Sequence, residues 1–205
     1  MWHREVITEA VERTLADLHR VSALKDFYLA GGTGLALSVG HRRSVDLDFF
    51  TDQPLEPEVM LERAENVGGL QVLAKGPETL HLTIRETKVS FLRYRYPLLF
   101  ACDELLGVKV ADPRDIACMK VSAIAGRGTK RDFIDLYVVS QHHDLEQILN
   151  WFKQKYARAN YSMVHVLKSL AYFEEAEKDP MPDMLLPLTW SAVKEFFTAK
   201  APRLL

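Results

Sequence analysis

Cysteine is scarce in this chain: Cys102 and Cys118 are the two that occur in 205 residues. Both lie in apolar surroundings, so the expectation is a pair of free thiols in a reducing cytoplasm rather than a disulfide framework. Long hydrophobic runs are missing as well. No uninterrupted apolar stretch is long enough to cross a bilayer. Met1-Trp2-His3-Arg4-Glu5 is not followed by the apolar segment that a signal peptide needs. A membrane partner is therefore not expected, and the chain is placed in the cytoplasm. Internal repeats and low-complexity tracts are absent, which removes repeat architectures from consideration. An excess of charge of one sign is lacking too: 26 basic against 28 acidic side chains leave a formal net charge of −2. That balance argues against a broadly basic nucleic-acid surface, although a local patch stays compatible with it.

What is present is an ordinary globular composition, 48% apolar and 26% charged. The length suits one domain with a real core or two small ones. Ile7, Val11, Leu15 and Leu18 fall at helical spacing, predicting an amphipathic helix over 3–24. Phe27-Tyr28-Leu29 reads as a short buried strand, and a second strand spans 45–51. Pro54 and Pro57 break it, and Pro57 opens a helix over 58–67 that stops before Gly68-Gly69. Strands are predicted over 70–75, 79–85 and 88–94, the last two joined at Glu86-Thr87, and one more over 105–111. A mixed sheet with helices on one face follows.

The remainder reads as helices. Asp112-Pro113 supplies the N-cap and first residue of a helix over 113–125, which Gly126-Arg127-Gly128 ends, and Thr129 caps the next, 130–141. Further helices are predicted over 144–157, 162–177 and 189–200, with Asp144 and Ser162 as caps of the first two. His165 reads as a core residue rather than a ligand. The Trp190, Val193, Phe196, Phe197 stripe reads as core, with a partner-binding helix as the alternative. Arg93-Tyr94-Arg95-Tyr96 reads as a strand end with snorkelling arginines, in preference to a patch that grips phosphates and stacks bases.

Two short stretches carry chemistry. Gly31-Gly32 stands between the first strand and an apolar helical segment, Gly34–Val39. Two glycines there let the backbone approach a ligand closely. The unpaired first amides of the helix suit a phosphate. Thr33 is placed either to cap that helix or to touch the phosphate itself. Val45-Asp46-Leu47-Asp48-Phe49-Phe50 alternates apolar and acidic residues, so Asp46 and Asp48 share a strand face, about 6.6 Å apart along the strand. Two such carboxylates suit Mg²⁺ (or Mn²⁺), which is held by one or two carboxylates plus substrate phosphates. A phosphate cradle followed by a metal-binding acid pair equips a chain for phosphoryl or nucleotidyl transfer.

In this order the two stretches match the nucleotidyltransferase pattern of the DNA polymerase β superfamily. Three segments resemble the AbiEii/AbiGii toxin family of nucleotidyltransferases more closely: 31–37 (Gly-Gly-Thr-Gly-Leu-Ala-Leu), 40–50 (Gly-His-Arg-Arg-Ser-Val-Asp-Leu-Asp-Phe-Phe) and 119–137, which contains Met-Lys-Val-Ser-Ala-Ile-Ala-Gly-Arg-Gly-Thr-Lys-Arg-Asp-Phe-Ile-Asp-Leu-Tyr. The resemblance implies an active-site lysine, Lys120, and an active-site aspartate, Asp132, with Asp135 as the alternative. Arg127 and Lys130 are further candidates for the nucleotide. The resemblance also implies a departure: polymerase-β-type enzymes often carry a third metal carboxylate where this chain has Ser90. One Mg²⁺ held by Asp46 and Asp48, with a second brought by the nucleotide, is the expectation that fits.

The resulting expectation is an α/β (α+β) protein: a polymerase-β-like nucleotidyltransferase core with a mixed sheet at 1–111, and a helical lobe at 112–205 completing the active site. By resemblance, the chain would move a nucleoside monophosphate from an NTP to a hydroxyl acceptor, with tRNA as a candidate. It would be the toxin-like member of a toxin–antitoxin pair, with a cognate antitoxin as partner. Ser90 supports a second reading, a non-catalytic nucleotide- or partner-binding module on the same fold.

Overall fold

Alternation along the strands decides which face of the sheet is buried. In the computed structural model, which describes residues 2–204, Leu47, Phe49, Leu80, Leu82, Ile84, Val89 and Phe91 all point into one core, while Asp48, Phe50, His81, Ser90 and Leu92 take the other face. The chain forms two units: residues up to Pro97 together with Ala101–Asp112, and Leu98–Phe100 with the chain from Pro113 onward.

The first unit opens with a single 3₁₀ turn, Arg4–Val6, and then α1, Glu9–Arg20. The single helix expected over 3–24 is thus divided. Thr8 adopts an extended backbone and its hydroxyl accepts from the Val11 amide, starting a new helix there. The order continues with β1 (Tyr28–Leu29), α2 (Gly31–Val39), β2 (Leu47–Thr51), α3 (Pro57–Glu65), β3 (Leu70–Gly76), β4 (Thr79–Ile84), β5 (Thr87–Arg93), β6 (Asp103–Leu105) and β7 (Val108–Val110). These strands make one mixed sheet in the order β3-β4-β5-β2-β1-β7-β6. β2 runs parallel to β5 and β1 parallel to β7, and the other pairs are antiparallel. Val11, Leu15 and Leu18 of α1, Ala36 and Leu37 of α2, and Met60 and Ala64 of α3 fill the core on the apolar face.

Two turns differ from expectation for a backbone reason. The β4–β5 hairpin turns at Arg85-Glu86, with Arg85 at φ 55°, which leaves Thr87 to open β5 as a buried residue. The strand expected over 105–111 is a hairpin, because Leu106 (φ 53°) and Gly107 (φ 77°) both lie in the left-handed region and reverse the chain.

The second unit is helical: α4 (Pro113–Arg127), α5 (Lys130–Val139), α6 (Leu145–Lys155), α7 (Met163–Ser169), α8 (Glu174–Glu177), α9 (Trp190–Lys200) and a closing 3₁₀ turn, Ala201–Leu204. Gly126 lies inside α4 rather than capping it. The helix expected over 162–177 breaks between α7 and α8. Phe133 anchors the core here, its ring centroid 5.0 Å from Phe173, 5.9 Å from Trp190 and 5.6 Å from Phe197. The aromatic stripe of α9 is therefore core. His165 is exposed, with Nε2 2.8 Å from the Ala125 carbonyl oxygen, and is not the core residue expected. Both cysteines are free thiols; burial pushes that of Cys118 up to about 12, so it is inert at neutral pH.

Candidate active site

The glycine pair does not form a turn ahead of a helix; it is the first turn of one. α2 begins at Gly31, and Ala30 is its N-cap, in a backbone conformation that puts Gly31 at φ 63°. A side chain at Gly31 would be strained on that count, and its Cβ would lie 2.9 Å from Asp48 Oδ2. The close approach has a simple origin: the Ala30 amide donates to the Asp48 carbonyl oxygen at 3.1 Å as β1 and β2 pair. Gly34 N–H returns to Ala30 C=O, whereas the amides ahead of it, Gly31 to Thr33, have no acceptor within the helix. A carboxylate and the positive end of a helix thus meet at Gly31.

Asp46 lies one residue ahead of β2, so the strand is shorter than the 45–51 expected. Its main chain is fixed by Thr33, whose hydroxyl donates to the Asp46 carbonyl oxygen and lies 2.8 Å from the Ser44 hydroxyl, from which it can accept. Thr33 is 1% exposed and is not the helix cap; the expectation that its hydroxyl caps or meets a phosphate gives way to a role in holding Asp46 in place. Asp46 and Asp48 are both half-buried.

Arg42 was not anticipated. It is buried, its Nη1 donates to the Arg43 carbonyl oxygen at 3.1 Å, and its Nη2 fills the space beside Gly32 that a Cβ would need. A guanidinium set against the positive end of a helix favours anions there. The available signal was an arginine four residues ahead of Asp46 in a stretch otherwise read only for its acids.

Ser90 stands opposite Asp48 in the β2–β5 register, and His81 stands opposite Ser90 in the β4–β5 register. His81 Nδ1 and Ser90 Oγ are 3.1 Å apart. Farther along the sheet, Arg93 and Arg95 both pair with Glu78, at 2.7 Å for Arg95; these hydrogen bonds, from Arg95 and then Arg93, hold the Glu78 carboxyl below its ordinary range. The strand-end reading of those arginines fits this arrangement.

The second unit brings Lys120 and Asp132 together. Lys120 Nζ is 2.9 Å from Asp132 Oδ1 and 2.7 Å from Asp135 Oδ2, and Asp135 is fully buried. Asp132 closes a capping box, its Oδ2 accepting from the Thr129 amide at 3.1 Å and the Thr129 hydroxyl at 2.7 Å. Burial alone would lower the Lys120 pKa, but Asp135 and Asp132 outweigh it and hold the ammonium above the ordinary lysine value of 10.5. The stability this gives is complete below that ordinary value and is lost as pH rises through the higher folded one. Thermal melts of the wild type and Lys120→Met are expected to differ in full at pH 8 and to begin to converge only as pH rises beyond ~10.5.

Lys130 is engaged elsewhere. Its amide donates to Asp179 Oδ2 at 2.9 Å and its ammonium to the Asp179 carbonyl oxygen, with the Trp190 ring 5.4 Å away. Buried in this way, it ties down the chain at Asp179, against the expectation that it binds nucleotide. Arg127 is exposed at the end of α4.

The family model described as "Nucleotidyl transferase AbiEii toxin, Type IV TA system" matches residues 13–105 and 93–203. This chain belongs to the AbiEii toxin family of nucleotidyltransferases. It is 37% identical over 198 residues to the uncharacterized protein aq_aa25 of Aquifex aeolicus (strain VF5), covering 94% of this chain and 92% of that one. Among solved structures, JHP933 from Helicobacter pylori superimposes with a TM-score of 0.55 at 15% identity, over 96% of this chain and 92% of its own. MenT4, the nucleotidyltransferase toxin Rv2826c of Mycobacterium tuberculosis H37Rv, gives 0.54 at 18% identity, over 95% and 86%. The AbiEii chain is thus an enzyme of the nucleotidyltransferase class on an α+β, polymerase-β-like fold. No helix among its described residues is long and apolar enough to cross a membrane.

Proposed function

We propose that this AbiEii-family chain transfers a nucleoside monophosphate from an NTP to a hydroxyl on RNA, a tRNA end being the first candidate, and that a cognate antitoxin is its protein partner in the cytoplasm. The observation that carries the reading is the meeting of Asp48 Oδ2 with the amide end of α2 at Gly31. The Gly31 and Gly32 amides would take phosphate oxygens, and Arg42 would offset charge on the leaving pyrophosphate.

The donor set fits Mg²⁺ (or Mn²⁺) in one specific way. Among the described residues no group of three or more His, Cys, Asp or Glu side chains is placed to hold a metal. Two carboxylates with substrate phosphates completing the shell is the usual Mg²⁺ arrangement, and Asp46 and Asp48 supply the two. When bound, the ion would neutralise phosphate charge and make the α-phosphorus more electrophilic. Thr33 would keep Asp46 aligned through its carbonyl. Lys120 and Asp132 enter the proposal through the family resemblance, as the lysine and aspartate of its second motif block.

The test is incubation of the full chain with total cellular RNA and each labelled NTP. Label is expected in one RNA class, from a preferred NTP, with pyrophosphate released and the signal lost on adding EDTA. Nucleotide binding without pyrophosphate release, or labelling that survives EDTA, would overturn the reading.

A further inference from the structure

We infer that Ser90 and His81 form the path by which the attacking hydroxyl loses its proton, an inference that rests on the transfer reaction proposed above. Across the sheet the register sets Asp48, Ser90, His81 and Ala74 in one row on β2, β5, β4 and β3. Neighbouring strands are about 4.8 Å apart, so Ser90 is the first side chain beside Asp48 on that face. If Asp48 sits at the α-phosphate, the incoming hydroxyl has Ser90 as its neighbour. Serine cannot take up a proton and keep it. Its hydroxyl can pass one on, and the group within reach is His81 Nδ1, at 3.1 Å. No carboxylate other than Asp48 stands in this row, and Lys88 and Thr83 make up the next pair. Both members of the Ser90–His81 pair are half-buried, while Ala74 beside His81 is exposed on the edge strand, which gives the imidazole a route to water.

The step balances. The hydroxyl oxygen forms a bond to the α-phosphorus as the bond from that phosphorus to the bridging oxygen breaks, and pyrophosphate leaves with the electron pair. The hydroxyl proton moves to Ser90 Oγ while the Ser90 proton moves to His81 Nδ1. The resulting imidazolium gives its Nε2 proton to water, and proton exchange with water then moves the remaining proton from Nδ1 back to Nε2, restoring the resting state. The arrangement needs the tautomer with the resting proton on Nε2, so that Ser90 donates to Nδ1.

The test compares the full chain with His81→Ala, His81→Gln and Ser90→Ala, by kcat, KM for the NTP, calorimetric nucleotide affinity and melting temperature. Turnover is expected to fall about 10- to 100-fold in all three, with affinity and melting temperature nearly unchanged, and imidazole in the buffer is expected to restore turnover to His81→Ala. Unchanged turnover, a loss that imidazole does not restore, or a loss that follows nucleotide affinity or melting temperature would overturn the proton path. If the wild type itself transfers nothing, the proposed reaction has failed and the path falls with it. If the wild type transfers and His81→Ala keeps pace, the path alone is wrong.

Discussion

Asp46→Asn combined with Asp48→Asn is expected to reduce nucleotide transfer by about a thousandfold or more, while the variant melts within a few degrees of the wild type. Asparagine keeps the shape of aspartate and loses its charge, so the substitution removes what a divalent ion needs while leaving the packing alone. A tenfold change in rate corresponds to about 1.4 kcal/mol, and losing charge stabilisation worth several kcal/mol accounts for three decades or more. The main-chain hydrogen bonds that the fold makes to these residues survive the substitution. Ala30 donates to the Asp48 carbonyl oxygen, and Thr33 donates to that of Asp46. Pyrophosphate release and circular dichroism on the same samples check both halves. Release above a tenth of the wild-type rate in a folded variant would remove the two acids from the reaction. Gly31→Ala is the geometric companion to this experiment. It leaves both carboxylates in place but sets a Cβ 2.9 Å from Asp48 Oδ2 at a left-handed φ, so it should impair transfer without changing any charge.

How much of this was legible in the sequence depends on how far each partner lies along the chain. Gly31, Gly32, Asp46 and Asp48 fall within 18 residues, and the patterns that mark them, a glycine pair and an acid–apolar alternation, are local. The capping box of Thr129 and Asp132 was half legible for the same reason. The N-terminus of α2 was misplaced by three residues because glycine is a poor helix former, and the gain that overrides it is tertiary: Leu35, Ala36 and Leu37 are fully buried and fix the helix from its far end. Arg42 and Lys130 were misjudged for a second reason. Arg42 was given no role and Lys130 was assigned to the nucleotide, because nothing local marks the one lodged against Gly32 or the one clasping Asp179. The Ser90–His81 contact needs the register of three strands, which no window of sequence contains.

The buried pair Asp115–Lys155 escaped notice altogether, and the largest stability effect is expected there. Asp115 lies in the first turn of α4 and Lys155 in the last turn of α6, positions where such charges ordinarily serve a helix dipole at the surface. Both side chains are 0% exposed. Lys155 Nζ lies 2.6 Å from Asp115 Oδ1, and the Asp115 carboxylate also accepts from the Leu99 amide at 3.0 Å and the Phe100 amide at 2.9 Å. One carboxylate thus takes both amides of Leu99 and Phe100 and ties the segment Leu98–Phe100 into the second unit. Asp115→Ala would take the carboxylate away from a buried ammonium and two amides together, at a cost of roughly 3–5 kcal/mol. Lys155→Met leaves the amides satisfied and costs less than Asp115→Ala. Asp115→Asn with Lys155→Met removes both charges while keeping an acceptor for the amides, and should recover much of the loss. Urea unfolding followed by tryptophan fluorescence reads this directly, since Trp151 stacks edge-on against Phe100 at 5.3 Å. If the double variant is no more stable than Asp115→Ala, the charges are not what matters; if Asp115→Ala costs under 1 kcal/mol, the carboxylate does not anchor the segment.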